Sequence, residues 1–302
     1  MTKFPVVIFA YNRPKHLYNL IKSLEQNKNI NDYEIFLFCD GFKNKKDLKE
    51  INKIRIIANQ SSLNFSNLNF RKKNVGLANN VISGISEVLK KNKACIVFED
   101  DLVVAKSGVN FLNYFLNKYQ NSSNLGSISL YSYIDHFDQF KEYKYYLSKR
   151  HCSWGWGTWA HIWNDIEWEK IDYDSHFLNL ENKQKFSLAG NDLNTLLWGQ
   201  YNKYINSWAI RFNYHCFLNN FSSFQSRFSL VDNNGQDGSG THETFSLRSK
   251  NLKNKEVLSF SENLDHEKYL ISSKNIDDYI MKSHRRSIRL SVFYFLKNFS
   301  FL

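Results

Sequence analysis

The chain has almost no proline. Only Pro5 and Pro14 occur among its 302 residues, and neither marks a linker between domains. No apolar run is long enough to cross a membrane as a helix. The stretch from Phe4 to Ala10 is short and runs straight into Tyr11-Asn12-Arg13, so no signal peptide is expected. Cysteine is scarce and scattered: Cys39, Cys95, Cys152 and Cys216 form no Cys-x-x-Cys pair. That spacing argues against a zinc site or a disulfide framework and suits free thiols in a reducing cytosol. Without a secretory route, sequons such as Asn64-Phe65-Ser66 carry little meaning. Acidic residues are outnumbered, 29 against 40 Lys and Arg, which gives a net charge of +11 and a pI of about 9.3. Such an excess suits anionic partners, whether nucleotides, nucleic acid or an acidic membrane surface, and equally a Lys-rich surface that only keeps the protein soluble.

Apolar residues, by contrast, are plentiful. At 42% hydrophobic and 16% aromatic the chain can fill the core of one large domain or two small ones. Its first half alternates strand and helix patterns. Phe4 to Ala10 reads as a buried strand, and Pro14 then opens a helix with Leu17, Leu20, Ile21 and Leu24 at helical spacing. Glu34 to Cys39 is a second strand, Ile51, Ile54 and Ala58 mark a helix, and Leu63 to Phe70 is a third strand. Gly76 to Lys91 is a helix with Leu77, Val81, Ile85, Val88 and Leu89 on one side. Ala94 to Phe98 is a strand, Phe111 to Tyr119 an amphipathic helix and Gly126 to Tyr131 a further strand. This alternation predicts an α/β fold, a mostly parallel sheet flanked by helices on both faces.

Ligands of such sheets sit at the carboxyl ends of the strands, where three polar groups are predicted to gather: Tyr11-Asn12-Arg13, Asp40-Gly41 and Glu99-Asp100-Asp101. Any one of them could be an ordinary loop; three at one edge favour a site. The acidic triplet is the most telling. Adjacent like charges after a buried strand repel and resist desolvation, but hard cations such as Mg²⁺ or Mn²⁺ take carboxylates together with substrate phosphates. The second half brings Trp154, Trp156, Trp159, Trp163 and Trp168. Trp159 and Trp163 are assigned to the core; Trp154 and Trp156 are candidates for contact with a sugar. The run from Asn233 to His242 is a Gly-rich polar loop ending in a histidine, without a Walker lysine.

Taken in order, these motifs resemble those of bacterial GT-A fold (Rossmann-like) glycosyltransferases, of the family 2 type related to eukaryotic N-acetylglucosaminyltransferase I. The matching segments are Pro5 to Pro14, Asp40-Gly41, Asn74 to Ala78, Phe98 to Leu102, Trp154 to Trp159, Ser207 to Arg211 and Asp237 to His242, across roughly four-fifths of the chain. The resemblance implies that Asp101 binds a Mn²⁺ or Mg²⁺ ion bridging the donor diphosphate, with His242 closing over it. Asp100 would contact the donor ribose, Glu99 would lie near the transferred sugar, and Tyr11 and Arg13 would lie at the diphosphate. Asp40 would read the base, with Arg71 and Asn74 nearby. Where relatives carry an Asp-Gly segment or paired aspartates, this chain has Gly190-Asn191-Asp192; Asp192 is the candidate base, with Asp165 as the fallback.

The activity so implied is inverting, metal-dependent sugar transfer from a nucleotide-diphosphate donor, such as a UDP-N-acetylhexosamine, to a glycan or lipid-linked acceptor. Its setting would be capsule or lipopolysaccharide synthesis, in the cytoplasm and in part on the inner face of the membrane. The GT-A domain would span residues 1–245, with a donor half to 125 and an acceptor half from 126. Residues 246–302 would form a helical basic extension. Within it, Asp277 to Leu302 mixes Lys282, Arg285, Arg286, Arg289 and Lys297 with apolar residues, as a segment lying on an anionic membrane or packed on the protein would. Two rivals are a nucleotidyltransferase, which would bring a Gly-rich basic loop after the first strand, and a non-catalytic sugar- or nucleic-acid-binding protein. Scattered basic residues without a reading motif speak against nucleic acid as a partner.

Overall fold

Strands buried on both faces persist only where helices cover them, and their residues are then almost all apolar. The computed structural model, which describes residues 1–135, 138–169, 171–235, 265–272 and 274–284, is organised this way. Strand β1 (Val6–Ala10) is buried at every position, and β2 (Ile35–Cys39) and β4 (Ala94–Glu99) at nearly every one. Both pair with β1 in parallel, and β3 (Phe65–Phe70) adds to β2 in parallel. The crossovers run through α1 (Pro14–Leu24), α2 (Lys45–Gln60) and α3 (Leu77–Leu89). In α1 the spaced Leu17, Leu20, Ile21 and Leu24 are all buried, each contributing on the order of 1.5–3 kcal/mol. Leu77 departs from its expected buried face; it is the first residue of α3 and is exposed.

Beyond β4 the chain forms β5 (Leu102–Val104), α4 (Gly108–Lys118), β6 (Leu125–Ser129), β7 (Tyr145–Ser148) and β8 (Trp156–Trp159). It continues through α5 (Ala160–Asn164), α6 (Tyr173–Leu178), α7 (Leu180–Ser187), α8 (Leu193–Tyr201) and α9 (Trp208–Leu218). Next come β9 (Ser222–Ser226) and β10 (Val231–Asn233), and after the undescribed stretch β11 (Leu270–Ile271) and α10 (Lys274–Ser283). Among the described residues one nine-stranded sheet runs β11-β7-β9-β6-β8-β4-β1-β2-β3. The sheet is mostly parallel, as the alternation predicts; the exceptions are β8, which runs antiparallel between β4 and β6, and the antiparallel pair β7–β9.

The C-terminal boundary needs correction. Residues 265–284 are no separate extension: β11 pairs with β7, and Ile276 and Ile280 of α10 are buried with Ile134, Phe140 and Tyr146. The first part of the amphipathic tail is therefore packed on the protein. The basic residues Arg285, Arg286, Arg289 and Lys297 lie outside the described residues, where the membrane reading now rests. No helix among the described residues is long and apolar enough to cross a membrane.

Candidate active site

The strand ends of β1, β2 and β4 bring the predicted residues to one edge. β1 is followed by a crossover to β2 on one side and paired with β4 on the other, so the edge is a point where the strand order reverses. Arg13, at the start of α1, donates through Nη2 to Asp100 Oδ1 and, at 3.2 Å, to Asp101 Oδ2. The Tyr11 backbone N–H donates to Asp100 Oδ2 at 3.3 Å. Arg13 is the cation within ion-pair distance of the triplet among the described residues, and Glu99 has no such partner there. Burial, and after it the charges of Asp101 and Asp100, hold the Glu99 carboxyl well above the usual range. Asp100 is raised too, because burial outweighs the opposing guanidinium of Arg13. Among the described residues the triplet therefore has one cationic partner, Arg13, for three carboxyl groups.

A second strand pair fixes Asp101. β5, which follows the triplet directly, is held to α1 by the Val104 N–H donating to Ser23 Oγ at 3.0 Å, and pairs antiparallel with β10. The chain leaving β10 then touches the triplet: the Asn234 N–H donates to the Asp101 carbonyl at 2.8 Å. A Cβ at Gly235 would stand 2.3 Å from Asp101 Oδ2, so only glycine lets the backbone approach this closely. The expected loop thus arrives at Asp101. Its end at His242 lies outside the described residues.

At the end of β2, Asp40 is buried. Its Oδ1 accepts from the N–H groups of Gly41 at 2.8 Å and Val75 at 2.9 Å, and its Oδ2 from Gly76 at 2.9 Å. Asn74 Nδ2 donates to the Gly41 carbonyl at 2.8 Å. Both side chains therefore build the loop that opens α3. Arg71 is at the same edge, with its guanidinium turned onto Asn80 and Ser83 of α3. Sequence reading missed Asp47. From the first turn of α2 it accepts from Tyr11 Oη at 2.7 Å and Asn12 Nδ2 at 2.8 Å, and so fixes the loop after β1. The spacing Asn44-x-x-Asp47, with Asn44 capping the Asp47 N–H at 3.0 Å, was its visible signal.

A pocket of about 240 Å³ opens on the other side of β4, walled by Tyr131, Tyr133, Trp154, Arg150, Leu196 and His284 among others. β8 runs antiparallel to β4, with Val97 opposite Trp156, so Trp154 lies toward the end of β4 that carries Glu99. Burial raises the thiol of Cys152 in the pocket wall. Trp154 meets Tyr131 edge-on, ring centres 4.7 Å apart. Trp156 does not share its place, which corrects the expectation that both face an acceptor. Trp156 is fully buried and stacks on Trp208 with ring centres 5.2 Å apart. Gly155, at φ +63°, breaks the extended chain between the two tryptophans, so they do not share a face as alternate residues of a strand would. Trp159 and Trp163 are in the core as expected.

Asp192 lies beside this pocket with both oxygens engaged. Arg150 Nη1 donates to its Oδ1 at 2.8 Å and Nη2 to its Oδ2 at 2.9 Å, a bidentate pair. The fallback Asp165 is a surface group, 71% exposed, 3.9 Å from His215.

Among the described residues no group of three or more His, Cys, Asp and Glu side chains converges as a closed metal centre. The donor chemistry still fits a hard divalent ion, which takes one or two protein carboxylates and completes its shell with phosphate and water.

No family model and no curated protein matches the sequence. Solved structures with related chain traces include GalNAc-T7 with UDP, GalNAc and Mn²⁺ (TM-score 0.45, 13% identity, covering 76% of this chain and 43% of that one). Others are Staphylococcus aureus TarS 1–349 (0.43, 14%, 74% and 57%) and the Pyrobaculum calidifontis mannosyltransferase PcManGT with GDP-Man and Mn²⁺ (0.38, 10%, 55% and 46%). In each case the chain spans less than two thirds of the other protein's length.

Proposed function

We propose that the protein is a metal-dependent glycosyltransferase using a nucleotide-diphosphate sugar. One observation carries the reading: a carboxylate triplet, with Asp100 buried and Glu99 and Asp101 partly so, set against Arg13 at the strand-order reversal of a mostly parallel sheet, with the β10 chain folded back onto Asp101. Carboxylates so placed suit a cation that itself meets phosphates, and the neighbouring Arg13 suits a diphosphate. Asp101 would hold the ion, joined by His242. Bound there, the ion would offset the charge that develops on the leaving diphosphate.

The protein's own groups do the rest. Tyr11 and Asn12, clamped by Asp47, leave Arg13 at the diphosphate position, while Asp100 orients its guanidinium and faces the ribose. Asp40 and Asn74 shape the base pocket, and Asp40 Oδ2, with its single hydrogen bond, keeps capacity for a base N–H. Arg71 stiffens that wall through α3. Glu99 stands between donor edge and aromatic pocket, beside the sugar to be moved. Inverting transfer needs a carboxylate to take the acceptor proton. Asp192 adjoins the pocket and would do so by freeing one oxygen from Arg150. A UDP-linked donor, an N-acetylhexosamine in particular, extends the motif resemblance, as does an acceptor in capsule or lipopolysaccharide synthesis at the inner membrane face. A nucleotidyltransferase fits less well, because the loop after β1 is clamped on Asp47 and offers no Gly-rich cradle.

The test is a melting panel of UDP, dTDP, GDP and CMP, each with Mn²⁺ and with EDTA. A ligand at a hundred times its Kd stabilises by about 2.7 kcal/mol. One nucleoside diphosphate should stabilise only with Mn²⁺; no shift with any nucleotide would overturn the reading.

A further inference from the structure

The aromatic pocket has a wall that the sequence motifs do not include. Helix α10 enters from the C-terminal side, and its end places His284 edge-on to Tyr133, ring centres 4.9 Å apart. His284 Nδ1 lies 2.9 Å from the Ile280 carbonyl, which fixes the ring, and Asn191 Nδ2 donates to the Met281 carbonyl at 3.1 Å. The helix is thereby tied to the loop that carries Asp192. Next to Tyr133 stands Tyr131, which in turn meets Trp154, flat apolar faces with polar edges. The cavity of about 240 Å³ falls below the roughly 300–1,000 Å³ of sites for drug-sized ligands, a size for one ring rather than an extended chain. Among the described residues Arg150 is the guanidinium in its wall, and Asp192 matches that charge in a bidentate pair. Burial, then Arg150, depresses His151 to about 3, so this imidazole of the wall stays neutral.

We propose that this pocket takes one uncharged pyranose ring of the acceptor, and that α10 closes it through His284 as a specificity-determining residue. Aromatic faces pack against the apolar C–H side of a sugar ring, while the edge groups of Tyr133, Arg150 and His284 meet hydroxyls. A wall whose guanidinium is already neutralised gives no net attraction to a sugar carboxylate, and desolvating that carboxylate is costly. This rests on the glycosyl-transfer reading, since the register of β8 on β4 sets Trp154 toward the strand end that carries Glu99.

The test uses the full chain with Mn²⁺ and UDP, and saturation-transfer NMR with methyl glycosides of glucose, galactose, N-acetylglucosamine and glucuronic acid. At least one neutral glycoside should show transfer and the glucuronide none. Trp154→Ala should abolish the signal, and His284→Ala should weaken binding about tenfold or change which glycoside is preferred. Melting and UDP–Mn²⁺ binding, measured on the same samples, report folding and the donor site separately. Transfer to no neutral glycoside, preference for the glucuronide, or unchanged binding in both folded variants would overturn the proposal while UDP–Mn²⁺ binding persists. Should Trp154→Ala fail to fold, His284→Ala decides alone. Loss of UDP–Mn²⁺ binding in the unaltered protein would instead count against the transferase reading.

Discussion

The two halves of the sheet place functional groups by different means. From β1 to β3 each strand is followed by a returning helix, so the parallel strands β1, β2 and β4 end at one edge and Arg13, Asp40 and the carboxylate triplet meet there without further instruction. From β6 onward some strands reverse, and the pocket draws Tyr131, Arg150, Trp154, Leu193 and His284 from distant stretches. The donor edge thus depends on where strands stop, whereas the pocket depends on long-range packing. A substitution can remove the chemistry of the first while sparing the fold; in the second, function and stability are harder to part.

The strongest way to break this contrast is Asp101→Ala. It should lower metal-dependent turnover about a thousandfold, or about 4 kcal/mol, at near-normal melting temperature. Near-normal turnover would show that the metal is held elsewhere. Ile280→Ala should act the other way. Truncating this buried side chain of α10 costs roughly 2–5 kcal/mol, so denaturant titration should show a weaker C-terminal region and acceptor use should fall, with UDP–Mn²⁺ affinity kept. Gly235→Ala sharpens the donor side. Its new Cβ displaces Asp101, and Mn²⁺ affinity by titration should fall about 10–100-fold with little change in melting temperature.

The smallest effect concerns Asp277 in α10. Burial raises its carboxyl to about 6, against the opposing Lys149. The folded chain then holds this proton more tightly than the unfolded one. The stabilisation is complete below the ordinary carboxylate value and is lost as pH rises through about 6. Asp277→Asn should therefore stabilise by about 1 kcal/mol above neutrality, allowing for solvent screening of a half-buried group, and change nothing near pH 4. A melting series across pH with equal shifts at both ends would remove Asp277 as the cause.

Legibility followed the same divide. The first-half strands could be read because burial on both faces leaves continuous apolar runs, and the polar residues that end them mark the candidate donor edge. β8 could not be placed, because nothing in Trp156-Gly157-Thr158-Trp159 announces a strand running against its neighbours. The left-handed turn at Gly155 hides in a dipeptide that reads as a simple repeat. Asp192 was visible as a carboxylate after Gly190-Asn191, but its pairing with Arg150 spans two distant loops. α10 was seen as amphipathic; that its apolar side meets Ile134 and Tyr146 is a tertiary fact.

One strand described above bears on how the protein can be handled. β11 is only two residues long, yet it covers the outer flank of β7 at the end of the sheet. The opposite flank, β3, already presents polar Ser66, Asn67 and Asn69. Short and polar rims both discourage one sheet from recruiting the rim of another molecule. A chain cut at residue 245 would bare the backbone of β7, with Tyr145, Tyr146 and Leu147 along it, to self-association. Such a truncated protein would be lost to aggregates even with its donor edge intact.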